Sequence, residues 1–390
     1  MPPDALPNVP TARLLVPSPH VLERELGSPE GADLAPVAVK LELRSEGIRE
    51  GVLAAAARVG VEVGAHQDAL VLVGTVRSVR RLAAELRPTA PEVAAALDRL
   101  LQSPISVLVA RGRALPVGTR TLVMGILNLS EDSFSGDGVA DPVRTLARAE
   151  WFLEQGADIL DVGVMSTRPG SMPIDEELES SRLGGFIEQL RVRTEAVISA
   201  DTYRPAPARA ALEAGADMVN DVSGLRHPDM AGVVARYGAA VVVMHMRGEP
   251  ATMQRDPIYD DLVGEIYASL AEGVDSARQA GVPREAIVVD PGIGFGKTVQ
   301  HNLELLQRLH EFRGLGCPVL VGTSRKGFIG RITGREVHDR IEGTAATVAL
   351  AIANGADIVR VHDVAQMQAV VQMSDAIVRS WQREPEAARS

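Results

Sequence analysis

From residue 121 onward the hydrophobic positions fall in short, nearly unbroken runs: TLVMGILN (121–128), ADILDVG (157–163), AVISADT (196–202), DMVNDVSG (217–224), AAVVVMHM (239–246), AIVVDPG (286–292), PVLVGTS (318–324) and DIVRVHD (357–363). Runs of this length, without strict alternation of apolar and polar residues, are what strands buried on both faces require. Between them lie amphipathic stretches such as PVRTLARAEWFLEQG (142–156) and PAPARAALEAG (205–215), rich in helix formers and closed by glycine, the preferred stop at a helix C-terminus. Eight strands with a helix after each predict a (β/α)8 TIM barrel. The competing architecture, a doubly wound open sheet, seldom alternates so regularly eight times.

Residues 1–115 do not share this rhythm. A proline- and alanine-rich opening leads into VAVKLELR (37–44), a helical IREGVLAAAARVG (48–60), VEVGAHQDALVLVGT (61–75), a second helical VRSVRRLAAELRP (76–88) and a third helix in EVAAALDRLLQS (92–103). The expectation is a small α+β unit over 1–115 joined through LPVGTR (115–120) to a barrel over 116–385. No catalytic constellation stands out in the first region, and its His66 reads as an exposed turn residue.

Composition narrows the function. A formal net charge of −11 over 390 residues argues against a nucleic-acid or membrane-surface binder, although a local basic pocket can still hold a phosphate ester. The single cysteine, Cys317, rules out an internal disulfide framework and suits the reducing cytoplasm, where a buried packing role is expected for it. No apolar stretch reaches the roughly 18 residues that a membrane span needs, and the opening lacks the charged-then-apolar pattern of a secretion signal.

Barrel active sites form at the C-terminal ends of the strands. Here those ends carry, in order, Asn128, Asp161, Asp201, Asn220 with Asp221, His245, Asp290, Ser324-Arg325-Lys326, and Arg360 with His362. Helix capping and turn satisfaction explain one or two such residues, whereas the full ring reads as a ligand cradle. DPGIGFGKT (290–298) ends like a phosphate-binding loop. The first glycine of that motif should fall at position 291, however, and Pro291 supplies no N–H for a phosphate nest. Asp290 is the informative residue of the stretch.

Two groups follow. Asp201, Asn220, Asp290 and Lys326 combine carboxylates, an amide and an ammonium able to grip the donor and acceptor edges of a flat heterocycle; the plainer reading is that Lys326 neutralises the carboxylates. Asn128, Ser166-Thr167-Arg168, Arg360 and His362 suit an anion, and an asparagine oxygen with phosphate oxygens suits magnesium, which takes oxygen ligands and retains water. Together they describe a planar heterocycle bearing a pyrophosphate that the reaction expels.

The chain resembles the dihydropteroate synthase family through MGILNLSEDSFSGDG (124–138), GADILDVGVMSTRPG (156–170), ISADTY (198–203), VNDVSG (219–224), VVMHMRGEP (242–250), VDPGIGFGKT (289–298), VGTSRKGFIG (321–330) and EGTAATVALAIANGADIVRVHDV (342–364). The resemblance spans residues 121 to about 380 in the family's order. It implies condensation of 7,8-dihydropterin-6-ylmethyl diphosphate with 4-aminobenzoate. Asp201, Asn220, Asp290 and Lys326 would hold the pterin. Thr167, Arg168, Arg360 and His362 would hold the diphosphate, with Mg2+ at Asn128, and Phe295 and Pro169 would line the aminobenzoate pocket. Asp290, Lys326, Arg360 and His362 are the residues this resemblance makes catalytic. It further implies a cytoplasmic homodimer and sensitivity to sulfonamides.

The family's pattern is broken at four places: the loop carboxylate displaced from 136 to Asp137, Met165 where glutamate is usual, Gly327 where serine is usual, and the N-terminal extension. Two other readings share the pterin residues. A pterin-dependent methyltransferase would not need STRPG, SRK and RVHDV, and a pterin-binding paralogue of weak or no activity would bind without turnover.

Overall fold

In a computed structural model the residues described are 11–14, 33, 36–43, 45–66, 69–101, 105–129, 142–164, 174–248, 253 and 256–379. They form two compact units. One draws on Met1–Ile105, Tyr259–Glu272 and Arg308–Cys317, the other on Ser106–Ile258, Gly273–Gln307 and Pro318–Ser390.

The first unit runs β1 (Thr11–Leu14), β2 (Pro36–Glu42), α1 (Glu46–Val59), β3 (Glu62–His66), β4 (Ala69–Thr75), α2 (Val76–Leu86) and α3 (Pro91–Leu100). Its antiparallel sheet has the order β1-β2-β4-β3. Strand β2 alternates, burying Val37, Val39 and Leu41 while the residues between remain partly or fully exposed, as a sheet covered on one face requires. Val52, Ala55 and Val59 of α1 and Val79, Leu82 and Leu86 of α2 complete that core. The register of α2 is set by a reciprocal cap: Ser78 N donates to Thr75 Oγ1 at 3.2 Å and Thr75 N to Ser78 Oγ at 2.9 Å.

The second unit begins with a tight hairpin, β5 (Val107–Ala110) and β6 (Arg113–Pro116), turned by Arg111 and Gly112 at φ of 49° and 83°. The alternation expected from sequence follows. Its strands are β7 (Leu122–Asn128), β8 (Ile159–Gly163), β9 (Val197–Asp201), β10 (Met218–Asp221), β11 (Ala240–Met244), β12 (Ile287–Asp290), β13 (Leu320–Val321) and β14 (Ile358–Val361). The helices between and after them are α4 (Pro142–Glu154), α5 (Glu176–Arg191), α6 (Pro205–Glu213), α7 (Met230–Tyr237), α8 (Leu262–Gln279), of which the part up to Glu272 is counted with the first unit, α9 (Val299–Gln307), α10 (Gly327–Thr333), α11 (Ile341–Ala353) and α12 (Val364–Val378).

The strands are parallel, in the order β12-β11-β10-β9-β8-β7-β14-β13, and an isolated bridge between Val289 and Val319 brings the two ends of the sheet together. The (β/α)8 barrel read from the sequence is therefore the fold. Strands β8, β9, β10, β11 and β12 are buried at every position, which accounts for their unbroken apolar runs.

Candidate active site

Strand register brings the polar strand ends to one rim. Asp201 is level with Gly163 and with Asn220, and Asp290 with Met244. Asp161, Asp201, Asn220 and Asp290 are all buried. Such a density of buried carboxylates is costly unless partners offset the desolvation. Arg360 supplies part of the offset: its Nε donates to Asp161 Oδ2 and its NH2 group to Asp201 Oδ2, both at 2.6 Å. Asn220 Nδ2 also reaches Asp161 Oδ2, at 3.2 Å, while Asp161 Oδ1 has no hydrogen-bond partner among the described residues.

Arg360 is thus found bridging the carboxylate group, beside residues read as the heterocycle cradle, rather than apart from them. Lys326, the neutraliser of the plainer reading, has its Nζ 4.1 Å from the centroid of the Phe295 ring. The cation that directly pairs with Asp201 is Arg360. His362 Nδ1 lies 3.0 Å from Ser324 Oγ, which also accepts the His362 main-chain N–H, so the ends of β13 and β14 are tied together. Asn128 closes β7, half-buried, level with Gly163. Thr167, Arg168 and Pro169 lie outside the described residues, as do Met165 and Asp137.

Burial dominates the protonation of this rim. It pushes Asp201 up to about 7 against the pull of Arg360, and Asp290 up to about 6 against the Gly292 N–H and Lys326. Lys326 is brought down to about 8 by burial, reinforced by Arg360. For Arg360 burial acts downward, but Asp161 and Asp201 outweigh it and hold the guanidinium charged. Carboxylates and an ammonium that change charge near neutrality can respond to a ligand's own protons, the usual condition of a functional site.

The turn after β12 answers the question raised by DPGIGFGKT. Asp290 Oδ1 accepts the Gly292 N–H at 2.7 Å, closing a local turn instead of a phosphate nest. Gly292 and Gly296 have φ of 71° and 62°, and a Cβ there would strike the carbonyl of His245 and that of Arg247 respectively. Only glycine lets this turn lie against the one after β11. Phe295 packs there with Val222, Met244, Met246 and Met253.

Two contributors were not singled out from the sequence. Asp161 was one strand end among many, and its central place is visible only once Arg360 and Asn220 are seen to converge on it. Glu179 sits in an acidic run, yet it is buried, accepting from Thr202 Oγ1 at 2.7 Å and Arg204 NH1 at 3.0 Å. It fixes the turn immediately after Asp201; burial raises its pKa despite these partners.

Among the described residues no three His, Cys, Asp or Glu side chains gather into a metal cage. Asn128 offers an amide oxygen at the end of β7, a donor type that magnesium takes beside phosphate oxygens and water.

Comparison with known proteins matches residues 124–362 to the model of the pterin binding enzyme family. Dihydropteroate synthase from Synechocystis is 46% identical over 265 residues, covering 67% of this chain and 92% of the relative, and that from Bacillus subtilis is 43% identical over 274 residues, covering 70% and 94%. A probable bifunctional folylpolyglutamate synthase/dihydropteroate synthase from Haloferax volcanii is 39% identical over 334 residues, 81% of this chain and 39% of the relative, a span that takes in part of the sequence before residue 116. The crystal structure of Xanthomonas albilineans dihydropteroate synthase with 4-aminobenzoic acid superposes with a TM-score of 0.66 at 40% identity, covering 70% of this chain and 98% of that one. The chain belongs to the dihydropteroate synthase family of pterin-binding transferases.

Proposed function

We infer that this chain joins 7,8-dihydropterin-6-ylmethyl diphosphate to 4-aminobenzoate, forming 7,8-dihydropteroate and releasing pyrophosphate. The observation that carries the reading is the buried rim of Asp201, Asn220 and Asp290 with Lys326 and Arg360 beside it, on a barrel of this family. Asp201, Asn220 and Asp290 take the N–H and amino edge of the pterin, and Lys326 donates to its acceptor edge. Ionised Asp201 and Asp290 favour positive charge on the ring as the methylene–oxygen bond loosens. Arg360 and His362, with Thr167 and Arg168, receive the departing diphosphate. Phe295 and Pro169 flank the arylamine, whose nitrogen attacks the methylene carbon and then loses a proton.

Magnesium, held by Asn128 with phosphate oxygens and water, supplies further charge stabilisation for the leaving group when bound. Removing water from this rim protects the electrophilic pterin from hydrolysis. A Cβ at Gly327 would meet nothing within 4 Å, so the position has room for the serine usual in the family; without that hydroxyl, main-chain N–H groups are left to take the second substrate's carboxylate. Sulfonamide binding in the aminobenzoate pocket is part of this proposal; a sulfonamide complex is known for the Yersinia pestis enzyme, 36% identical with a TM-score of 0.66.

We place the protein in the cytoplasm, in keeping with a chain that has a single, buried cysteine, Cys317. No helix among the described residues is long and apolar enough to cross a membrane. We propose a homodimer through α11 and α12, where Leu350, Met373 and Ile377 are 58%, 63% and 72% exposed.

The test is pyrophosphate release with magnesium and the pterin diphosphate, with and without 4-aminobenzoate, in wild type and Asp290→Asn. Release that requires aminobenzoate and falls by about a hundredfold or more in the variant supports the synthase reading. Pterin binding without aminobenzoate-dependent release would favour the inactive paralogue.

A further inference from the structure

Lys297 is 2% exposed and lies one turn from the substrate rim, yet no step described above uses it. Its Nζ contacts His245 Nδ1 at 3.0 Å, the Phe295 carbonyl at 2.9 Å and, more distantly, the His245 carbonyl at 3.5 Å. Its hydrogen-bond partners are neutral groups; Asp290 attracts it only through space. An ammonium buried on neutral acceptors is costly. Here it spans two turns that already touch, since Gly292 rests on the His245 carbonyl and Gly296 on that of Arg247.

The far side of the same turn presents Phe295, whose ring lies under Lys326. Burial and the neighbouring Lys297 hold His245 well below its ordinary pKa, and burial likewise brings Lys297 down to about 7; Nδ1 is the ring nitrogen that meets the lysine.

We propose that Lys297 and His245 form a buried strut that locks the turn after β12 onto the turn after β11, and that Lys297 is thereby the positioning residue for Phe295 in the aminobenzoate pocket. This rests on the proposed placement of aminobenzoate against Phe295. Lys297 touches neither substrate; it fixes the carbonyl of the residue that does. The strut acts on the second substrate more than the first, because Asp290 has its own anchor in the Gly292 N–H.

The histidine provides a discriminating pair of variants. Asparagine places its side-chain oxygen near the position of Nδ1, whereas glutamine places its oxygen near that of Nε2. Full-length His245→Asn, His245→Gln and Lys297→Met would be compared by steady-state kinetics in both substrates and by hydrogen exchange, followed by mass spectrometry, over residues 290–298. Lys297→Met and His245→Gln are expected to raise the KM for aminobenzoate about tenfold, with the KM for the pterin diphosphate changed by less than about threefold, while His245→Asn stays near wild type.

Exchange over 290–298 should quicken in the first two variants and not in His245→Asn. Asparagine as harmful as glutamine, or both KM values rising together, overturns the proposal. If the wild type shows no aminobenzoate-dependent turnover, the functional reading has failed, and the exchange pattern still decides whether the strut exists.

Discussion

At the N-terminal ends of the barrel strands, Asp158, Asp217 and Asp357 accept main-chain N–H groups from Val123, Ile198 and Val319 at 2.8, 3.0 and 3.0 Å. At the opposite ends, Asp161 keeps one buried oxygen without a partner among the described residues, and Asp201 and Asp290 are pushed towards neutrality by burial. The lower aspartates are also met by arginines: Asp158 by Arg120, and Asp217 by Arg113 and Arg191. Burial raises the pKa of Asp217 as well, but the Ile198 N–H and these arginines act against it. The same side chain serves as a staple between neighbouring strands at one rim and as an unfinished binding group at the other. Stability resides at the bottom of such a barrel and chemistry at the top.

The sharpest way to break this division is Asp217→Ala. With Asp217 1% exposed, its loss leaves Arg113 and Arg191 facing an empty site. Denaturant unfolding should show a loss of about 3 kcal/mol or more, with kcat of the folded enzyme little changed. A loss of activity without loss of stability would erase the distinction between the rims.

A second, intermediate effect concerns pH. Asp290 titrates near 6 in the folded protein, above the ordinary carboxylate range, so the neutral form is favoured by folding. Its contribution to stability is fully present below about pH 4 and is lost as pH rises through about 6. Asp290→Asn should therefore raise the melting temperature relative to wild type more at pH 8 than at pH 4.5. Pterin affinity in the wild type should run the other way, weakening as the pH falls through 7 and then 6, where Asp201 and Asp290 gain protons. Binding calorimetry across that range checks the opposite signs.

The smallest change is expected for Arg120→Ala, which removes a pair that is 44% exposed on the arginine side. Unfolding should register less than about 1 kcal/mol. A larger loss would mean that even the solvent-facing part of the lower rim holds the barrel closed.

Much of this division could be read in the chain. Periodicity located the barrel strands because burial on both faces leaves no room for polar positions. The polar strand ends then identified the upper rim. The lower staples also have a signature, the triplet Gly-Ala-Asp at 156–158, 215–217 and 355–357 just before β8, β10 and β14. In each, the glycine has positive φ, at 91°, 108° and 98°, turning the chain so that the aspartate reaches the adjacent strand.

What the chain could not disclose was which long side chain crosses the barrel. Arg360 reads as an anion ligand from its guanidinium and its place at a strand end, and its double pairing to Asp161 and Asp201 depends on strand order and side-chain reach, neither of which is local. Glu179 was hidden for a similar reason: helix α5 carries Glu176, Glu177 and Glu179 together, and only packing distinguishes the buried one.

The seam of the barrel carries a last consequence. Strands β12 and β13 are joined by the isolated Val289–Val319 bridge and the hydrogen bond from Val289 N to the Pro318 carbonyl, while every other neighbouring pair shares a longer ladder. The main-chain pairing around the ring is thinnest at this pair of strands. On the seam's two lips stand Asp290 and the Ser324-Arg325-Lys326 segment. The proposed clamp on the heterocycle thus has its two halves on either side of the shortest main-chain ladder in the ring.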